Sequence, residues 1–219
     1  MPRPIFFDLY FTLLEPDPAS PWLKETIRLL GVAPKLVQAA SLESYHDRMI
    51  GAITTPEEVV DRSLAHLGIT VEPAVRDQLV AHRWEFFHTA RLFDDVLPAL
   101  SRLHERGHRL ALVTNCSAET SVTIERLELG RFFEAMALSC DLRSAKPDPA
   151  IYQYALDALG VDPAEVVYVG DGDTEEHAGA ASFGMTTVLL QRPGAKVRDV
   201  RTDYVIASLD KLFELPIFE

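Results

Sequence analysis

The residues of this 219-residue chain with the most chemical potential are carboxylates and one lysine set at the ends of apolar runs. Asp8 follows Pro4-Ile5-Phe6-Phe7, and Asp171 and Asp173 follow Val166–Val169 through Gly170. Thr114 and Asn115 follow Arg109–Val113, and Lys146 stands in Ser144-Ala145-Lys146-Pro147-Asp148-Pro149. A carboxylate directly after a buried strand is costly unless it is paired or metal-bound. Asp8 and Asp171 brought together repel each other, and a divalent cation or Lys146 would resolve that repulsion. The chemistry these residue types suggest is a cluster of acidic groups balanced by a divalent cation or by Lys146.

The elements that must position these residues read as alternating strands and helices. A short unbroken apolar run at Pro4–Phe7 predicts a strand buried on both faces, and further strands are read at Arg109–Val113, Val166–Val169, Thr186–Leu190 and Tyr204–Ile206, with a weaker one at Ala135–Ser139. Helix-like segments lie between them at 94–105, 118–129, 149–159 and 175–183. This alternation predicts an α/β fold, a doubly wound parallel sheet with right-handed crossovers. In such a sheet the active site lies beyond the carboxyl ends of the strands, where Asp8, Thr114, Asn115 and Asp171 all fall.

One interval breaks the rhythm. Residues from about Ser20 to Arg91 read as several helices broken at Gly31, Gly51 and Gly68, with helix starts at Thr55-Pro56-Glu57-Glu58 and at Pro73. Leu64, Leu67, Val71, Val75 and Leu79 supply an apolar stripe for a small bundle. The expected organisation is an α/β core from 1–15 and 92–219, with a helical domain at 16–91 inserted behind a turn near Glu15–Pro18.

Composition narrows the partners. Lys and Arg number 21 against 33 Asp and Glu, a net charge of −12, which repels phosphate backbones and anionic lipid. No nucleic acid or membrane partner is expected, only a small-molecule substrate. Cys116 and Cys140 are far apart in sequence and lack C-x-x-C spacing, which argues against a disulfide scaffold or a cysteine zinc site. The apolar run at the N-terminus is too short for a signal peptide. A soluble, cytoplasmic monomer or homodimer is predicted.

Taken in order, these features resemble the haloacid dehalogenase superfamily along the whole chain. Its first motif is similar to Asp8-Leu9-Tyr10-Phe11-Thr12-Leu13, its second to Leu112-Val113-Thr114-Asn115, and its third-motif lysine to Lys146 before Pro147. The fourth resembles Val169-Gly170-Asp171 with Glu176 five residues on, and the inserted helices resemble the family's helical cap. The resemblance implies that Asp8 is a nucleophile forming a covalent intermediate that water hydrolyses. It implies that Thr114 and Asn115 hold the transferring group and that Lys146 neutralises charge. It also implies Mg²⁺ on Asp8, the carbonyl of Tyr10 and Asp171, with Glu176 as a ligand or a partner through water.

The departures from that family's phosphatase pattern are informative. Its second Asp, the general acid, is replaced by Tyr10, and a phenol with a pKa near 10 is a poor acid at neutral pH. Tyr10 resembles the dehalogenase branch, where halide leaves without a proton. That branch, however, carries Ser and Asn where this chain has Gly170-Asp171-Gly172-Asp173, and it grips the halide with a cap Arg, for which Arg28 and Arg48 are the candidates. Phe11 replaces the family's glycine before Thr12, so Tyr10, Phe11 and Thr12 are expected to line the substrate pocket. Three functions therefore stand: an Mg²⁺-dependent phosphatase of small metabolites, a 2-haloacid dehalogenase-like hydrolase, and a phosphate-binding relative without turnover.

The remaining candidates have blander readings. The seven histidines show no paired ligand spacing, and His177 is expected on a helix surface. Cys116 reads as a small buried thiol, Asp173 as a helix cap, and Trp22, Trp84, Phe86 and Phe87 as packing residues of the inserted helices.

Overall fold

The computed structural model describes residues 2–15 and 22–218. The turn expected near Pro16–Pro18 and the start of the helical segment at Ser20 lie outside the described residues. The chain opens with strand β1 (Ile5–Phe7) and the two-residue strand β2 (Leu14–Glu15). Five helices follow: α1 (Trp22–Leu30), α2 (Pro34–Glu43), α3 (Tyr45–Met49), α4 (Pro56–Leu67) and α5 (Pro73–Thr89). Strand β3 (Arg91–Leu92) then pairs antiparallel with β2, Leu14 opposite Leu92, and this ribbon joins the helices to the sheet.

From there strand and helix alternate. Helix α6 (Val96–Glu105) precedes β4 (Leu110–Thr114), and α7 (Thr120–Arg126) precedes β5 (Ala135–Leu138). The short α8 (Ser139–Leu142) and α9 (Pro149–Leu159) lead to β6 (Val167–Gly170). Helix α10 (Glu176–Ser182), β7 (Thr186–Leu190) and β8 (Tyr204–Ile206) complete the order. Six strands form one parallel sheet in the order β5-β4-β1-β6-β7-β8, as the alternation predicts.

The order explains why the apolar runs are unbroken. β1 is flanked on both edges, with Phe7 level with Leu112 on β4 and Val169 on β6. Its two faces enter different cores: Ile5 and Phe7 pack with Val96, Leu100 and Leu209, and Phe6 packs with Ile151, Tyr152 and Tyr168. Strands covered on both faces need apolar residues at every position rather than at alternate ones. Helix ends follow their local chemistry. Thr55 accepts from the Glu58 amide at the start of α4, and Asp148 accepts from the Ala150 amide at the start of α9. Gly68 and Gly160 close those two helices in the left-handed conformation that favours glycine.

The helices between β2 and β3 pack on themselves around Val60, Leu64 and Leu79, with Val71 and Val75 alongside, as the apolar stripe suggests. They meet the sheet end at one very close approach: a β-carbon on Gly51 would lie 2.0 Å from the Cys140 carbonyl oxygen. No helix among the described residues is long and apolar enough to cross a membrane.

Candidate active site

Parallel pairing of β1 with β6 delivers Asp8 and Asp171 to the same edge of the sheet. Lys146 comes from the loop between α8 and α9, and its ammonium is buried there with all three protons placed. Nζ donates to Asp8 Oδ1 at 2.6 Å, to Glu176 Oε2 at 2.6 Å and to Tyr168 Oη at 3.0 Å. Glu176, at the start of α10, is saturated in turn: Oε2 also accepts from the Tyr168 hydroxyl at 2.7 Å, and Oε1 accepts from the Gly172 amide at 2.9 Å. The second oxygen of Asp8 accepts from Thr12 Oγ1 at 3.1 Å.

The electrostatics follow from burial. Desolvation pushes the Asp8 carboxyl up to about 7 against the pull of Lys146, with Glu176 and Asp171 adding repulsion. Burial works against the charge on Lys146, but Asp8 and Glu176 outweigh it and hold the ammonium well above its ordinary range. Burial also opposes ionisation of Glu176, yet Lys146 keeps that carboxylate below its usual value. Asp171 is pushed up to about 6 by burial and by Glu176, and Arg198 Nη2 stands 3.5 Å from its Oδ2. One oxygen each from Asp8, Asp171 and Glu176 lie within 4.8 Å of one another, a spacing that suits a hard cation.

The Asn115 side chain forms a two-point clasp on the Lys146 backbone, with Oδ1 accepting from its amide at 2.6 Å and Nδ2 donating to its carbonyl at 3.0 Å. Thr114 is fully buried, and its hydroxyl lies 3.5 Å from the Asn115 carbonyl rather than on the cavity beside Asp8. Thr12 likewise is fully buried beneath Asp8 and does not line that cavity, because its hydroxyl is spent on the carboxylate. Tyr10 and Phe11 do line it. The Tyr10 hydroxyl pairs with Thr120 Oγ1 at 2.9 Å, and burial raises the phenol well above its ordinary value. Phe11 has φ of 60°, a left-handed backbone, and is half exposed. The position thus keeps the conformation that glycine adopts most easily.

The cavity over Asp8 measures about 240 Å³ and is roofed by Tyr45, Arg48, Met49, Phe86 and Phe87 from the helical segment. Arg48 is buried and lies at the site, whereas Arg28 is exposed and pairs with Glu25. Trp84 stacks on His88, and the Trp22 side chain lies outside the described residues.

Several expectations need correction. His177 is fully buried rather than on a helix surface, its ring edge-on to Tyr168, because α10 turns that face to the sheet. Cys116 is a buried free thiol, as expected, and the adjacency of β4 and β5 brings its sulfur 3.8 Å from that of Cys140, also free. Asp173 does not cap α10 with its side chain, which instead pairs with Arg198 at 3.0 Å. Tyr168, the residue that links Lys146 to Glu176, escaped the sequence reading because a strand tyrosine looks like core.

Comparisons with known proteins agree with this arrangement. Residues 3–184 match the family model of haloacid dehalogenase-like hydrolases. The chain is 33% identical over 145 residues to a glyceraldehyde 3-phosphate phosphatase of Methanopyrus kandleri, covering 65% of this chain and 62% of that protein. It is 25% identical to an (S)-2-haloacid dehalogenase of Pseudomonas sp. (strain YL), covering 96% of this chain and 93% of that protein. Among solved structures, a 2-haloacid dehalogenase from Pseudomonas syringae pv. Tomato DC3000 superimposes with a TM-score of 0.71 at 27% identity, covering 98% of this chain and 97% of that one. With its strand-end aspartates and its buried lysine set on such a sheet, the chain belongs to the haloacid dehalogenase-like hydrolases.

Proposed function

We propose that this hydrolase is a Mg²⁺-dependent phosphatase of small organic phosphates, with Asp8 as its nucleophile and residues 16–91 as the cap over the site. The observation that carries the reading is the placement of Asp171 beside Asp8. Without a cation both carboxyls are driven toward protonation near neutral pH, to about 6 and about 7, so the pair fits a divalent ion that keeps both ionised. Asp8, Asp171 and the carbonyl of Tyr10 would hold it. Glu176 orients Lys146 through Oε2 and would serve the ion as a ligand or as a partner through water. When bound, the ion supplies positive charge against the phosphoryl oxygens.

The chain's own residues account for the rest. A carboxylate oxygen of Asp8 attacks phosphorus, the bond from phosphorus to the ester oxygen breaks, and the departing oxygen takes its proton from water. Water then attacks phosphorus in the aspartyl phosphate, releasing phosphate and restoring Asp8. Lys146 keeps its charge against the Asp8 carboxylate throughout. Tyr10 donates no proton, since its hydroxyl is held by Thr120 and its acidity is suppressed. Substrates with good leaving groups are therefore preferred.

The same Tyr10 supports a second reading, hydrolysis of a 2-haloacid, in which halide leaves without protonation. The experiment that separates the two measures phosphate release from an aryl phosphate and chloride release from 2-chloropropionate, each with Mg²⁺ or EDTA. Mg²⁺-dependent phosphate release that disappears in Asp8→Asn and loses its metal response in Asp171→Asn supports the phosphatase. An unchanged metal response in Asp171→Asn overturns the metal assignment. Chloride release indifferent to EDTA overturns the phosphatase reading in favour of the second.

A further inference from the structure

A second cavity, of about 200 Å³, lies inside the helical segment. Its walls come from α1 to α5, with Leu30, Ala40, Val60, Leu64 and Leu79 prominent among them. Arg48, Phe86 and Phe87 line both this cavity and the one over Asp8, so the two spaces share a wall. An apolar cavity of about 150 Å³ is known to stay dry and to take up benzene. This larger one has room for a substituted phenyl ring or a branched aliphatic chain.

The junction between the two cavities carries unsatisfied polarity. Arg83, which lines the inner cavity, donates through Nε to Glu119 at 2.6 Å, while its Nη2 is buried with no hydrogen-bond partner among the described residues. Arg48 Nε donates to Ser44 and its Nη2 to the Ser41 carbonyl. Arg83 thus holds the buried Glu119 carboxylate through one nitrogen, while Arg48 is spent on Ser44 and Ser41. A buried donor without a partner is expensive, and an oxygen acceptor delivered with an apolar group would satisfy it.

We propose that the substrate consumed at Asp8 bears a compact apolar arm, aryl or branched aliphatic, that lodges in this inner cavity, with one of its oxygens accepting from Arg83. The inference rests on Asp8 being the reacting centre, but the binding it predicts does not require turnover.

The test is calorimetric titration of the full chain with phenylacetate and with acetate. Phenylacetate is expected to bind at least tenfold more tightly than acetate, and Ala40→Leu, which fills the cavity from α2, is expected to erase that advantage. Thermal melts confirm that the variant folds; Val60→Phe replaces it if it does not. Arg83→Lys, which keeps charge against Glu119 but loses the second nitrogen, is expected to weaken both acids severalfold, since each offers its carboxylate to Arg83, and to leave the advantage of phenylacetate over acetate in place. Equal affinities for the two acids, or undiminished phenylacetate binding in the filled variant, would overturn the proposal. If Asp8→Asn proves as active as the parent while phenylacetate binding stays cavity-dependent, the nucleophile assignment fails and the arm site stands.

Discussion

Lys146 Nζ lies 2.6 Å from Asp8 Oδ1 and, on its other side, 2.6 Å from Glu176 Oε2. A single ammonium, almost wholly buried, is therefore shared by two carboxylates that are far apart in the sequence. Asp8, the proposed nucleophile, and Glu176 are parts of one charge network, and changes to either are felt by both.

Removing the ammonium tests that network directly. Lys146→Met leaves Asp8 and Glu176 buried without their cation and is expected to lose about 3–5 kcal/mol of stability. Urea unfolding with and without Mg²⁺ reads the result. If Asp8 and Asp171 bind the ion, Mg²⁺ raises the midpoint of the variant; no loss in the absence of metal would contradict the buried network.

Gly170 offers a subtler probe. A β-carbon there would lie 2.1 Å from Glu176 Oε1, so Gly170→Ala must shift the carboxylate whose other oxygen holds Lys146. The expected outcome is a drop of more than tenfold in kcat with a lowered melting temperature, although no charged group has been removed. Wild-type turnover in this variant would mean that Glu176 does not matter to the orientation of Lys146.

For Tyr10→Phe the expectation is an almost silent change in rate. The hydroxyl is committed to Thr120 and donates nothing to the leaving group, so kcat on an aryl phosphate should stay within about twofold. Stability should fall by about 1 kcal/mol for the lost hydrogen bond. A loss of a hundredfold or more would identify the phenol as the acid after all.

Phe11 is half exposed, and exposed substitutions usually alter stability by less than about 0.5 kcal/mol. Its positive φ predicts otherwise here. Phe11→Val should cost about 1–2 kcal/mol, because a branched side chain tolerates the left-handed region poorly. Phe11→Gly should hold or raise the melting temperature. The reverse ranking in differential scanning calorimetry would refute the backbone argument.

What could be read from residues alone followed from how strongly local chemistry constrains each element. The central strand β1 is apolar at every position and β6 is an apolar run up to Gly170, so their ends, and Asp8 and Asp171 with them, were legible. Thr55 and Pro56 announced α4 for the same reason. The β2–β3 ribbon was not legible, since two residues are too few to show a period. The contact of Cys116 with Cys140 needs the adjacency of β4 and β5, and the burial of His177 needs the orientation of α10. The sharing of Lys146 between two acids depends on Glu176 turning inward, which an acidic pair at a helix start does not announce. Asn115 and Thr12 were legible as polar residues near the site, but not as the groups that hold Lys146 and Asp8 in place.

The position of β1 has a consequence for how this protein fails when heated. Its three residues are wholly covered, and each is hydrogen-bonded into a register between two other strands. The amide of Asp8 itself donates to the Val169 carbonyl at 2.9 Å. Backbone so enclosed exchanges its protons with solvent only when the whole sheet opens. Asp8 is therefore fixed to the last part of the molecule to come apart, and loss of its chemistry on warming should track global unfolding rather than precede it.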